Sequence, residues 1–171
     1  MLDLTVSKLL NEQINKEFYS AYLYLDFANY FTDAGLDGFA NWYTVQAKEE
    51  QDHAMLMIQF LHNNGDKVTL EALDKPNIPL KTHLDPLNGS YAHEQYVTAS
   101  IYEIYDAANE VKDYRTMQFL DWFVKEQGEE EKNADDLIKK YKLYGTDAKG
   151  LYALNTELAG RIYAPPTLIL T

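Results

Sequence analysis

The chain of 171 residues has no cysteine, only 8 glycines and 5 prolines, and 15 basic against 27 acidic side chains. Without cysteine there is no disulfide, no thiolate zinc site, no cysteine-bound iron centre and no cysteine nucleophile. So little glycine and proline leaves scant material for turns and favours few, long elements. No apolar run is long enough to cross a bilayer. The net charge of −12 argues against nucleic acid or an anionic membrane as partner and favours cations. The start Met1-Leu2-Asp3-Leu4-Thr5 lacks a basic region followed by a long apolar one, so no signal peptide is expected and the expected location is cytoplasmic. Hydrophobic side chains make up 46% of the chain, enough for one domain over residues 1–171 with a substantial core.

What is present is helical periodicity. Four segments carry it, over about 5–32, 37–63, 85–112 and 114–144. Gly35 and Gly65 stand where C-terminal caps belong, Asp85-Pro86 offers an N-cap with a first-turn proline, and Gly145 stops the fourth segment. Short links join the first pair and the last pair, so each pair is expected to be antiparallel. The link of about 66–84, with Pro76 and Pro79, is long enough to return along the bundle and make the second and third helices parallel. The expected fold class is all-α: an antiparallel four-helix bundle with one long crossover. A fifth helix is expected over about 147–160, with Leu151, Leu154 and Leu158 on one face. It packs either at a subunit junction or on its own subunit. The tail, 161–171, gives no functional reading.

The rows that should line the core are not purely apolar. In the second helix the row is Phe39, Tyr43, Gln46, Glu50, His53, Met57, Phe60; in the first it is Leu10, Ile14, Glu17, Ala21, Tyr24, Ala28, Phe31. The third gives Leu87, Tyr91, Glu94, Thr98, Ile101, Tyr105, Ala108, and the fourth Leu120, Phe123, Gln127, Glu130, Ala134, Leu137, Tyr141. An unpaired buried carboxylate costs several kcal/mol, about 3 or more, and a cation compensates it most directly. Allowing for antiparallel directions, Glu17, Glu50, Glu94 and Glu130 converge in one layer, with His53 adding an imidazole. Two divalent ions balance four carboxylates. Oxygen-rich ligation with one nitrogen suits iron(II), manganese or zinc. Where a symmetric site would repeat Glu-x-x-His, the fourth helix has Gln127-x-x-Glu130, so the second ion gains only a neutral amide. Weaker, asymmetric binding is expected, which suits an ion passing through.

Glu49, Glu126 and Glu129 flank this layer, and Glu126 and Glu130 stand one turn apart, where like charges repel unless a cation lies between them. They read as a third metal site or an exit route, or else as a solvated face. For Glu131 and Lys132 the solvated face is the expectation. Tyr24 lies beyond Glu17 on the same row, placed to hydrogen-bond a ligand carboxylate or give up an electron, although most of the 14 tyrosines are packing residues. Trp122, just before Phe123, reads as lying against the site or, the preferred expectation, as a bulky core residue. His62, His83 and His93 have no carboxylate at helical spacing and are expected at the surface or boundary.

These residues carry a family resemblance. Leu10-Asn11-Glu12-Gln13-Ile14-Asn15-x-Glu17, Glu49-Glu50-x-x-His53 and Trp122-Phe123-Val124-x-Glu126-Gln127-x-Glu129-Glu130-Glu131 make the chain resemble the bacterial non-haem ferritins over nearly its whole length. The resemblance implies a ferritin-like bundle in a hollow shell of 24 copies, with the fifth helix at the four-fold axes. It implies oxidation of iron(II) by dioxygen or hydrogen peroxide at a di-iron ferroxidase centre, then storage of ferric mineral. Glu17, Glu50 and His53 would hold one iron; Glu50, Glu94 and Glu130, with Gln127 adjacent, a second; Glu49, Glu126, Glu129 and Glu130 a third. Tyr24 matches the tyrosine beside the centre. No haem is expected, because the methionine that ligates it in bacterioferritins is replaced here by Asp52. Competing expectations are a metal-buffering or structural cage without oxidase activity, and a di-iron oxygenase acting on an organic substrate.

Overall fold

Amphipathic rows of this length hide their apolar faces only against one another, and the chain does so with five helices. The computed structural model describes residues 2–170; Met1 and Thr171, which close the expected domain and tail ranges, lie outside the described residues. The helices are α1 Leu4–Asp33, α2 Asp37–Asn63, α3 Leu84–Glu110, α4 Tyr114–Tyr144 and α5 Ala148–Leu158. Among the described residues there is no strand. No helix among the described residues is long and apolar enough to cross a membrane.

Local chemistry sets most of the ends. Asp3, Asp113 and Asp147 cap α1, α4 and α5 by accepting from backbone amides two or three residues on. Gly35 and Gly65, both at φ +73°, end α1 and α2 in a left-handed turn that closes bonds from Leu36 N to Phe31 O and from Asp66 N to Leu61 O. The same closure after α3 places Lys112 at φ +57°.

Two boundary expectations are corrected. Asp85 is not an N-cap: α3 has already begun at Leu84, and the Asp85 carboxylate turns back to accept from Lys81 N and Thr82 N at 2.7 and 2.6 Å. The third helix stops at Glu110, two residues early, because the left-handed Lys112 breaks it. Gly145 ends α4 as expected, with a right-handed φ of −81° and so not through backbone freedom. It is required by space instead, since a β-carbon there would stand 2.5 Å from the Tyr141 ring.

Two apolar clusters reveal the topology. One joins the start of α1 (Val6, Leu10) to the ends of α2 (Met57, Leu61) and α3 (Ile101, Ile104) and the start of α4 (Phe119, Leu120). The other joins the end of α1 (Phe27, Phe31) to the starts of α2 (Phe39, Tyr43) and α3 (Leu87) and the end of α4 (Leu137, Ile138). Thus α2 and α3 run parallel, and the crossover between them returns the length of the bundle. Asn11 fastens it, accepting from Thr69 N at 2.7 Å and donating to Lys67 O at 3.1 Å.

The short α5 packs on its own chain. Leu154 and Leu158 are buried in the second cluster, and the Asn155 side chain accepts from Gly38 N and Phe39 N at the start of α2. The segment after it then runs back along α2, with Leu168 and Leu170 against the first cluster.

Candidate metal centre

Between the two clusters, at mid-depth, lies a layer of buried polar side chains from all four long helices. Glu17, Glu50, His53, Glu94, Gln127 and Glu130 are each no more than 5% exposed. One donor atom from each of Glu17, Glu50 and His53 falls within 4.8 Å of the others. His53 Nδ1 lies 3.3 Å from Glu50 Oε2 and 4.0 Å from Glu17 Oε2. That Glu17 oxygen is buried and has no hydrogen-bond partner. A carboxylate oxygen left bare in the interior is the geometry of an incomplete coordination shell.

Amides hold the carboxylates in place. Gln13 Nε2 donates to Glu17 Oε1 at 2.9 Å. Gln46 Nε2 bridges two helices, donating to Glu50 Oε1 at 3.0 Å and to Glu130 Oε2 at 2.8 Å. On the far side, Glu94 Oε1 accepts from the Tyr24 hydroxyl and Glu94 Oε2 from Gln127 Nε2 at 3.1 Å. Tyr24 thus bonds a carboxylate of the layer, and Gln127 stands beside Glu94 as a donor.

Electrostatics bind the layer into one system. Burial, then the negative Glu50, raises the Glu17 and Glu130 carboxyls from 4.5 to about 8. The same two causes push Glu94 well above the carboxylate range. Burial would raise Glu50 too, but the His53 imidazolium overrides it and the net shift is downward. His53 feels burial in the opposite sense, and Glu50 outweighs it to lift the ring from 6.5 to about 10. The layer therefore pairs the His53 imidazolium with the Glu50 carboxylate, and burial favours the protonated form of Glu17, Glu94 and Glu130. A divalent cation entering here displaces those protons.

The flanking acids take different places. Glu49, Glu126 and Glu129 line one cavity of about 310 Å³, and His53 and Glu130 form part of its wall. Glu49 accepts from Arg161 at 2.5 Å, and both are largely covered, with 16% of the Arg161 and 20% of the Glu49 side chain exposed. Burial raises the Glu49 carboxyl against the pull of Arg161, and burial likewise raises Glu126. Glu131 is not on a solvated face: it is half-buried and accepts from Thr98 at 2.5 Å. Trp122 is only partly buried and lies edge-on to His53, ring centroids 5.6 Å apart, so it borders the site as well as packing the core. His93 sits at the boundary, its Nε2 2.7 Å from Ser20 Oγ, and burial lowers its ring below the usual value.

Sequence reasoning passed over Gln13, Gln46, Arg161 and the segment after α5. For the amides a pattern existed: Gln13 precedes Glu17, and Gln46 precedes Glu50, by four residues on one face. For Arg161 there was none.

A bundle with one long crossover that gathers carboxylates and an imidazole from four helices into one buried layer is of the carboxylate metal-site class. The chain belongs to the family of the ferritin-like domain, whose sequence pattern matches residues 7–144. It is 41% identical over 152 residues to the bacterial non-heme ferritin of Campylobacter jejuni, covering 89% of this chain and 91% of that one. With the bacterial non-heme ferritin of Staphylococcus saprophyticus it shares 37% over 163 residues, 95% of this chain and 98% of that one. Among solved structures, an open-pore ferritin from the archaeon Archaeoglobus fulgidus superposes with a TM-score of 0.92 at 42% identity, over 95% of this chain and all of that one. A humanised archaeal ferritin gives 0.94 at 41%, over 96% of this chain and 100% of its own.

Proposed function

We propose that the protein stores iron: it takes up iron(II), oxidises it within the four-helix layer and keeps the product inside a shell of 24 subunits. The observation that carries this reading is the Glu17–Glu50–His53 cluster, three donors within 4.8 Å with one buried oxygen unpartnered. Iron is here the substrate. Two iron(II) ions side by side each give up one electron, together reducing dioxygen to hydrogen peroxide, or hydrogen peroxide to water, with protons drawn from solvent.

The chain's contribution is to position and to exchange protons. Glu17, Glu50 and His53 hold one ion, and Glu50 reaches the second with Glu94 and Glu130, Gln127 standing adjacent. Ions entering the layer displace protons from His53 and from the buried carboxyls, leaving a neutral imidazole and carboxylates as ligands. Tyr24 fixes Glu94 by its hydroxyl and Gln46 spans Glu50 and Glu130, so all three carboxylates are held by hydrogen bonds from neighbouring side chains. Glu49, Glu126 and Glu129, with Glu130, form the third binding place, reached through the cavity beside His53.

The test mixes metal-free protein with iron(II) under anaerobic conditions, adds oxygen, and follows iron(III) formation by ultraviolet absorbance. Glu50→Ala and His53→Ala are expected to lose about tenfold to a hundredfold in initial rate. A wild-type rate equal to buffer would leave a metal-buffering cage as the better reading. A native mass near a single 19.7 kDa chain would favour an oxygenase over a cage.

A further inference from the structure

Two cations line the cavity that reaches His53 and Glu130, Lys125 and Arg161, and among the described residues only Arg161 pairs with one of its carboxylates. The cavity wall carries Glu49, Glu126 and Glu129, and its roof is the segment that follows α5, from Arg161 through Thr167. Among the described residues Glu126 and Glu129 form no ion pair, whereas Glu49 is held by Arg161. One guanidinium nitrogen donates to Glu49 Oε2 at 2.5 Å and the other to Trp42 O at 3.2 Å. The guanidinium carbon lies 4.1 Å from the centre of the Trp42 ring. A cation–π contact with an indole together with two directed bonds gives this side chain one well-defined seat.

The backbone beneath it is equally fixed. Asn41 donates to Arg161 O at 3.0 Å, Tyr163 donates to Asp52 at 2.6 Å, and Trp122 donates to Thr167 Oγ1 at 3.0 Å. The roof is therefore fastened on both sides of the cavity, and Arg161 is its one charge on Glu49.

We propose that Arg161 is a built-in counter-ion that sets the cation affinity of this cavity: it holds Glu49 until an entering divalent cation takes the carboxylate from it. The inference rests on the reading of the buried layer as a metal site. A guanidinium and a divalent ion sharing one carboxylate at contact distance repel each other, and in a partly covered cavity that repulsion is weakly screened. The cation therefore binds at the expense of the Arg161–Glu49 pair, and the guanidinium retains Trp42 as a partner when displaced. Without a cation the pair stops Glu49 from facing its acidic neighbours unpaired. With one, it keeps binding loose, as befits a place through which ions move on to or away from His53 and Glu130.

The experiment titrates the full-length, metal-free protein with zinc(II) by calorimetry, comparing wild type with Arg161→Gln and Arg161→Lys. In Arg161→Gln the weakest class of zinc sites is expected to tighten about tenfold, the worth of a charge-assisted hydrogen bond removed from competition. Arg161→Lys keeps the charge and is expected to stay within about twofold of wild type. The chain has 2 tryptophans, so a Trp122→Phe background, which gives up the bond to Thr167 and is therefore compared only with itself, leaves Trp42 as the sole indole. There, filling the weak sites with zinc shifts Trp42 emission while Arg161 is present and leaves it unmoved in Arg161→Gln. Equal or weaker zinc affinity in Arg161→Gln would overturn the proposal. If the tight sites still fill normally, only the role of Arg161 falls; if zinc binds nowhere, the metal reading falls with it.

Discussion

Gln46 shows how much of the site depends on an uncharged side chain. Its single amide nitrogen reaches carboxylates on α2 and α4, and it is 5% exposed. Replacing it by leucine keeps the volume and leaves Glu50 and Glu130 each short of a donor. Metal-free Gln46→Leu is expected to be less stable by about 1–3 kcal/mol, read as a lower melting temperature in the presence of chelator, with zinc recovering part of the loss. An unchanged melting temperature would mean that water or rearrangement serves both carboxylates equally well. The five charged or imidazole members of the layer were legible in the sequence, because a carboxylate in an apolar row breaks the pattern. An amide in the same row breaks it far less, so Gln13 and Gln46 did not stand out. Arg161 had no local cue at all, since its partner Glu49 is 112 residues away.

At the scale of elements, the docking of α5 turns on a missing side chain. A β-carbon on Gly38 would stand 1.7 Å from the Asn155 carbonyl oxygen, too close for any small adjustment. Gly38→Ala is therefore expected to release α5 and the segment it anchors, while the four long helices stay folded. Limited trypsin digestion checks this: cleavage after Lys149 or Arg161 is expected to accelerate at least about tenfold, because protection follows local opening. Wild-type resistance in the variant would show that α2 yields instead. Helix existence and most ends were legible because end signals are local: Gly35, Gly65 and Gly145 each stand within two residues of the end of a long helix. The start of α3 was not, since nothing local says that the Asp85 carboxylate turns back to the loop. Nor was the seat of α5, for a short apolar row states that it docks without stating where.

For the whole molecule, the buried layer ties stability to pH. Glu17 and Glu130 keep their protons up to about 8, whereas an unfolded chain releases them near 4.5. Between those values the native state binds more protons than the unfolded one, so raising the pH destabilises the metal-free protein. His53 acts in the same direction: its contribution is fully present below 6.5 and is lost as the pH rises through about 10. The melting temperature of metal-free protein is expected to fall from pH 5 to 9, and more steeply than that of a Glu17→Gln, Glu130→Gln double variant between pH 5 and 8. Parallel curves would remove the two carboxyls from the account. Zinc affinity runs the other way and rises with pH, because binding requires the ligands to deprotonate.

Because the polar layer is sandwiched between two apolar clusters, it also acts as an alignment key. Sliding any long helix by one turn, a shift of about 5.4 Å, would push its glutamate among the phenylalanines and leucines on one side and draw an apolar residue into the layer. Apolar rows alone tolerate such slippage, since one leucine replaces another at small cost. A carboxylate driven into hydrocarbon costs several kcal/mol, about 3 or more, on each misplaced helix. The residues proposed to receive iron thus also fix the vertical register of the bundle, before any ion arrives.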